Sequence, residues 1–148
     1  MKVVVQRVSE ASVLINHQEN RSIKQGYMIL LGITHDDEIA DIQWLTRKIL
    51  GLRIFSDAEG KMNQSILDVQ GSILLISQFT LHSSTKKGNR PSFIQAAKPD
   101  IAVPLYEAMI EELRQSIPVE TGTFGADMQV SLINDGPVTI IIDSKNKV

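Results

Sequence analysis

Six short apolar runs, mostly β-branched, constrain this chain more than any other feature. Val3 to Val8 and Ala11 to Ile15 are separated only by Ser9 and Glu10. Tyr27 to Ile33 and Ser72 to Ser77 each follow a glycine, Gly26 and Gly71. Met128 to Ile133 alternates, and Val138 to Ile142 is apolar. Runs of this length and composition read as strands. Arg53-Ile54-Phe55 reads as a shorter strand ending at the turn-rich Ser56-Asp57-Ala58-Glu59-Gly60. Two segments read as helices instead. Asp37 to Leu50 places Ile39, Ile42, Leu45 and Ile49 on one face, with Arg47 and Lys48 near its end and Gly51 just past it. Asp100 to Gln115 places Ala102, Leu105, Met109, Ile110 and Leu113 on one stripe, with Pro104 in its first turn. Short separations between neighbouring strands favour hairpins over crossovers. The expected fold is α+β: a mainly antiparallel, barrel-like β-sheet with two main helices.

Residues 1–148 are expected to form one domain, a length at which a chain buries a core without staples. The chain has no cysteine, which excludes a disulfide scaffold, a thiolate metal site and a cysteine nucleophile together. No apolar run approaches the ~18 residues of a membrane span. Met1-Lys2-Val3-Val4-Val5-Gln6-Arg7 turns polar too early for a signal peptide. The expectation is a soluble, cytoplasmic protein with no membrane partner, and only the tail after Asp143 reads as frayed.

Fifteen basic and 17 acidic residues give a net charge of −2. Their distribution is uneven. Val69 to Pro99 contains no Asp or Glu but holds Lys86, Lys87, Arg90 and Lys98, a local charge of +4 on a body of −6. Such a field guides a polyanion to one place; a chance gap in the acids gives the same pattern.

No Walker A loop, GxGxxG, HExxH or GxSxG is present. His17, His35 and His82 lie far apart and read as surface or loop residues, so no metal or cofactor is expected. Two segments stand out. Ser77-Gln78-Phe79-Thr80-Leu81-His82 ends an apolar strand abruptly in hydroxyl and amide groups, and its backbone amides could stabilise an oxyanion. An ordinary strand end also reads this way. Asn134-Asp135-Gly136-Pro137-Val138-Thr139 lies between two strands and carries a hairpin-turn signal that Pro137 interrupts. A plain tight turn is the simplest reading; a cis bond before Pro137 would mark a specific device.

Together these two segments resemble the motif pair of the D-aminoacyl-tRNA deacylases. The resemblance runs along nearly the whole chain: Gln6-Arg7-Val8, Arg53 to Asn63, Arg90-Pro91-Ser92-Phe93 and Ala126 to Leu132 stand in the family's order and spacing. It implies an esterase that releases D-amino acids from the 3′ end of tRNA, removes glycine mischarged on tRNA(Ala), and spares L-aminoacyl-tRNA. It implies a homodimer with two interfacial sites, each entered by the partner's Gly136–Pro137 segment, the bond being cis. Rigid carbonyls there would hold the substrate's amino group and crowd an L side chain, a selection by rejection. Arg7 is expected to hold that motif through backbone carbonyls, with Asn134, Val138 and Thr139 in support. The partner is the aminoacyl-tRNA 3′ end rather than DNA.

The chemistry this implies is acyl transfer to water, and because an aminoacyl ester is already activated, the preferred scheme needs no strong protein nucleophile. Ser77, Gln78, Phe79 and Thr80 form the catalytic segment. Water attacks, assisted by the 2′-hydroxyl of the terminal adenosine, and amides near Phe79 and Thr80 stabilise the oxyanion. Thr80 as covalent nucleophile is the rival scheme, but no base stands beside it in sequence. Phe79 or Met128 packs on adenine, and Lys86, Lys87 and Arg90 contact phosphates. Two other functions stay open: an RNA-end binding module without turnover, and a small-ligand barrel or dimerisation module without salt-dependent RNA binding.

Overall fold

The computed structural model describes residues 1–148. In chain order the elements are β1 (Lys2–Ile15), β2 (Glu19–Ile23), β3 (Gly26–Gly32), α1 (Ile39–Gly51), β4 (Phe55–Ser56), β5 (Met62–Gln64), β6 (Ser72–Ser77), a one-turn 3-10 helix (Phe79–His82), α2 (Pro99–Arg114), β7 (Val119–Thr121) and β8 (Met128–Asp143).

The first two apolar runs are one strand, not two. β1 crosses Ser9 and Glu10 without a turn, and β8 lines one of its edges along nearly its full length. β2 and β3 pair with successive stretches of the other edge. Ser9 is an extra residue between the pairs Val8↔Asn134 and Glu10↔Ile133. One extra residue reverses the inward face of a strand. Val3 and Val5 accordingly enter the core beneath the helices, whereas Val8, Ala11, Val13 and Ile15 enter a second core inside the curled sheet. Odd positions thus point one way before the bulge and the other way after it.

The sheet is mainly antiparallel, as expected, but it is mixed, with a parallel part. β1 pairs antiparallel with β2, β3 and β8, but β3, β6 and β7 run parallel to one another. Parallel neighbours need a crossover of a dozen or more residues. Here α1 lies on the connection from β3 to β6, and α2 on that from β6 to β7. Gly26 makes the first of these junctions possible, because a Cβ there would sit 1.8 Å from the Ser72 carbonyl oxygen. The sheet nearly closes into a barrel. Arg21 on β2 donates from Nη1 to the Thr121 carbonyl of β7 at 2.9 Å, spanning the remaining gap.

Both helices differ at their starts from the sequence reading. α1 begins at Ile39, not Asp37, since Asp37 is buried and accepts the Thr34 amide at 2.7 Å. Ile39 is exposed, and the buried stripe is Ile42, Leu45, Thr46 and Ile49. α2 begins at Pro99, which leaves Pro104 inside the helix rather than in its first turn. Tyr106 replaces Leu105 as the large buried side chain of that stripe, its hydroxyl donating to Leu75 O at 2.9 Å. The tail is docked, not frayed. Ser144 is buried with its amide on Met1 O, Lys145 Nζ lies 2.9 Å from Asp41 Oδ2, and Lys147 sits over the Trp44 ring.

Candidate active site

The Asn134–Thr139 segment is not a hairpin turn. β8 continues through it, because both of its halves pair with β1. Between the pairs Val8↔Asn134 and Gln6↔Thr139, β1 contributes only Arg7 while β8 contributes Asp135, Gly136, Pro137 and Val138. The surplus residues leave the ladder as an exposed bulge. Asn134 closes its neck: Nδ2 donates to Thr139 Oγ1 at 3.0 Å, and Oδ1 accepts the Val138 amide at 3.1 Å. Arg7, the single residue opposite, grips it. Its Nε donates to the Asp135 carbonyl at 3.0 Å, and its Nη1 donates to the Ile54 carbonyl at 2.5 Å. The bulge is thereby tied to the start of the β4–β5 hairpin. Its Gly136–Pro137 peptide is cis. Gly136 has φ +129°, and a Cβ there would meet Val138 Cγ2 at 2.9 Å and Arg7 Nη2 at 3.0 Å.

Ser77 to Thr80 occupies the end of β6. The Gln78 amide donates to Leu31 O at 2.8 Å, which fixes the chain as it leaves the sheet. In the 3-10 turn that follows, the Leu81 amide donates to Gln78 O at 3.3 Å and the Ser83 amide to Thr80 O at 3.1 Å. The amides of Phe79 and Thr80, first in the turn, have no acceptor within it, as the geometry of helix starts requires. They form a pair of free donors at the mouth of the sheet. The Thr80 hydroxyl is held by Gln78 Nε2 at 2.6 Å and has no basic side chain bonded to it. Phe79 is 52% exposed, and its ring meets Phe93 edge-on at 5.1 Å. Phe93 belongs to the segment after the Ser84↔Ser92 bridge.

Ser92 and Ile94, the chain neighbours of Phe93, line a basin of about 330 Å³ together with Lys86, Lys87, Arg90, Ser84 and Gln95. None of the three cations pairs with a carboxylate. Unpaired cations next to exposed aromatic rings suit the backbone and bases of a single strand. Met128, on β8, lies beside Ile76, the residue that precedes Ser77 on β6. Met128 is half-buried over Gly122, within the barrel-side core.

A family model described as "D-Tyr-tRNA(Tyr) deacylase" matches residues 4–143. The chain belongs to the D-Tyr-tRNA(Tyr) deacylase family. It is 60% identical to the "D-aminoacyl-tRNA deacylase" of Cytophaga hutchinsonii over 149 aligned positions, covering 99% of each chain. A solved structure described as "c-Myc DNA Unwinding Element Binding Protein" matches with TM-score 0.90 and 42% identity, over 97% of this chain and 98% of that one. A probable eukaryotic D-amino acid tRNA deacylase shares the fold, with TM-score 0.82 and 20% identity over 95% and 97%. The chain is therefore a hydrolase of this deacylase family, acting on D-aminoacyl-tRNA.

Within one deacylase chain the two motifs do not meet. Ser77 is level with Leu31, Val3 and Ile142 across the ladders, whereas the bulge is level with Arg7. Three strand spacings and four residues separate them, roughly 20 Å over the sheet surface. His82 is the residue the sequence misjudged. It is buried, not a surface histidine, and burial holds its pKa below the ordinary value. Its only sequence signal is its position behind Leu81 in the turn. The Ile54 carbonyl that anchors Arg7 has no side-chain signature at all.

Proposed function

We propose that this enzyme is a chiral proofreader: it hydrolyses the ester of D-aminoacyl-tRNA and of glycyl-tRNA(Ala), and it spares L-aminoacyl-tRNA. The observation that carries the chemistry is the pair of amides at Phe79 and Thr80 with no acceptor, on a turn whose Phe79 ring meets Phe93, in the segment that also lines the unpaired basic basin. The terminal adenosine stacks on Phe79, and Lys86, Lys87 and Arg90 take the phosphates behind it. Water adds to the ester carbonyl carbon, and the two amides receive the oxyanion. Collapse breaks the bond to the 3′ oxygen, and the proton lost by water reaches that oxygen through the neighbouring 2′-hydroxyl. One well-placed oxyanion donor is worth about 10²–10³ in rate. No side-chain base is required, in keeping with a Thr80 hydroxyl whose near neighbour is an amide.

The chiral filter is the exposed Gly136–Pro137 bulge. Because it lies far from its own chain's Phe79, it acts on the site of a second copy, and the working unit is a homodimer. There its backbone carbonyls hold the substrate's α-ammonium group and fill the space of an L side chain. Glycine and D-residues have nothing in that space. A protein that works on aminoacyl-tRNA belongs in the cytoplasm; no helix of this chain is long and apolar enough to cross a membrane.

Subunit mixing tests the shared site. Arg7→Ala should inactivate through the bulge, and Phe79→Ala through the other half of the site. Co-refolded at equal amounts, half of the dimers are mixed and each holds one intact site, so about a quarter of wild-type activity returns. Two inactive parents with no recovery would show that each chain builds its own site.

A further inference from the structure

The Phe93 ring that meets Phe79 has a support of its own. Phe93 opens a four-residue turn, closed by the Ala96 amide donating to Phe93 O at 3.0 Å. The chain is fixed on either side of this turn. Ser92 pairs with Ser84, Ala96 pairs with Thr34, and the Ala97 amide donates to Ile33 O at 2.9 Å. Between those anchors Ile94 is 84% exposed, so packing does not hold the turn. One side chain does. His35 Nε2 lies 3.0 Å from the Ile94 carbonyl oxygen. A carbonyl only accepts, so Nε2 carries the proton and donates it.

His35 is itself presented from a tight base. It sits in the turn Thr34 to Asp37, which the Asp37 amide closes on Thr34 O at 3.3 Å. The buried Asp37 carboxylate accepts the Thr34 amide at 2.7 Å, and the Thr34 hydroxyl donates to Asp36 Oδ1 at 2.7 Å. A braced turn just past β3 thus reaches across to the looser turn that carries Phe93. From there the link is a ring contact: Phe93 meets Phe79 edge-on, with 75° between the two planes. An edge-to-face pair has a preferred geometry, so the position of Phe93 sets the plane of Phe79. Phe79 stays half exposed, with surface left for a base.

We propose that His35 and Phe93 are positioning residues for the terminal adenine: His35 fixes the Phe93 turn, and Phe93 fixes the plane of the Phe79 ring on which the base stacks. The inference rests on the reading that an RNA 3′ end binds at Phe79. A ring already held in plane spares binding the loss of side-chain freedom that ordering it would cost. The pair therefore acts on substrate binding and not on ester cleavage.

The test uses the full chain with D-tyrosyl-tRNA as substrate. Two unacylated probes report binding: the tetranucleotide ACCA, and the same chain with an abasic ribose at its 3′ end. Wild type is expected to bind ACCA at least about five-fold more tightly, the worth of one stacked base. The abasic comparison isolates the base from the phosphates, since Ile94 and Gln95 of the same turn border the basic basin. His35 is exposed, so its removal leaves the core intact. His35→Ala should raise KM about three- to ten-fold at constant kcat, the worth of one hydrogen bond. It should weaken ACCA by the same factor and leave the abasic probe unchanged. His35→Gln keeps an N–H donor at similar reach and should restore KM to within about two-fold. Adding His35→Ala to Phe93→Leu should cost nothing further, because the latch then has no ring to place. An unchanged KM in His35→Ala, a fall in kcat instead, equal weakening of both probes, no rescue by glutamine, or additivity with Phe93→Leu each overturns the proposal. A base preference that survives His35→Ala rejects the latch alone. Equal binding of both probes by wild type rejects adenine stacking on Phe79 and the latch with it, while hydrolysis of D-tyrosyl-tRNA by wild type, measured in parallel, decides the deacylase reading separately.

Discussion

Arg7 Nε donates to the Asp135 carbonyl at 3.0 Å while Nη1 of the same guanidinium donates to Ile54 at 2.5 Å. One planar fork therefore fixes two backbone segments relative to each other. Arg7→Ala should keep the sheet but free the bulge, lowering kcat/KM for D-tyrosyl-tRNA at least about 30-fold through two lost charge-assisted bonds. Arg7→Lys should recover little, because a point charge cannot span both carbonyls. Steady-state deacylation of the two variants checks this; full recovery by lysine would contradict it.

Gly136 is the position where the bulge tolerates least change. Its φ of +129° is costly for any L side chain, and a Cβ would press on Val138 and Arg7. Gly136→Ala should cost about 1–3 kcal/mol locally and move the bulge. The expected phenotype is leaky chirality, with L-tyrosyl-tRNA cleaved at a measurable rate. An unchanged D-to-L ratio in paired assays would remove Gly136 from the filter.

Thr80 separates the two chemical schemes. The proposed oxyanion donors are backbone amides, so Thr80→Ala should retain activity within about ten-fold, well short of the cost of losing a catalytic nucleophile. Single-turnover deacylation reads this directly. A residual rate below about one ten-thousandth of wild type, or a trapped acyl-enzyme on the native protein, would restore the covalent scheme.

The docked tail makes the protein acid-sensitive. Burial alone would raise the Asp41 pKa, but bonds from Ser144, Lys145 and the Glu38 amide outweigh it and pull the value from 3.8 to about 2. The unfolded chain thus binds more protons between those values. The stabilisation, about 2 kcal/mol, is complete above pH 3.8 and disappears as the pH falls toward 2. His82 adds to the effect, since a lowered histidine pKa means stability begins to fall below about 6.5. Lys145→Ala should flatten the acid limb of a stability–pH curve measured by urea denaturation. An unaltered limb would show that the Asp41–Lys145 pair carries none of it.

The strands and helices were legible where periodicity was local. Ser72–Ser77 was placed to the residue, and α1 and α2 to within two at each end. What the sequence concealed was non-local. Asn134-Asp135-Gly136 carries the chemistry of a hairpin turn, and only the pairing of both flanks with β1 shows that it is a bulge. Ser9-Glu10 looks like a break for the same reason. Val119–Thr121 is too short to alternate, and it becomes a strand through its parallel ladder to β6. At the site, Ser77 to Thr80 and Gly136–Pro137 were both legible as motifs. Their separation on one chain was not, because it follows from strand order. His82 was missed because burial of a single polar side chain leaves no periodic trace.

Paired deacylation of D-tyrosyl-, L-tyrosyl- and glycyl-tRNA(Ala) by the wild-type enzyme tests the central claim most directly. The account predicts fast loss of the D and glycyl esters, with the L ester decaying at its uncatalysed rate. Cleavage of D and L esters at equal rates would contradict the chiral filter. Binding of all three substrates with none cleaved would contradict the deacylase itself and leave an RNA-end binding module.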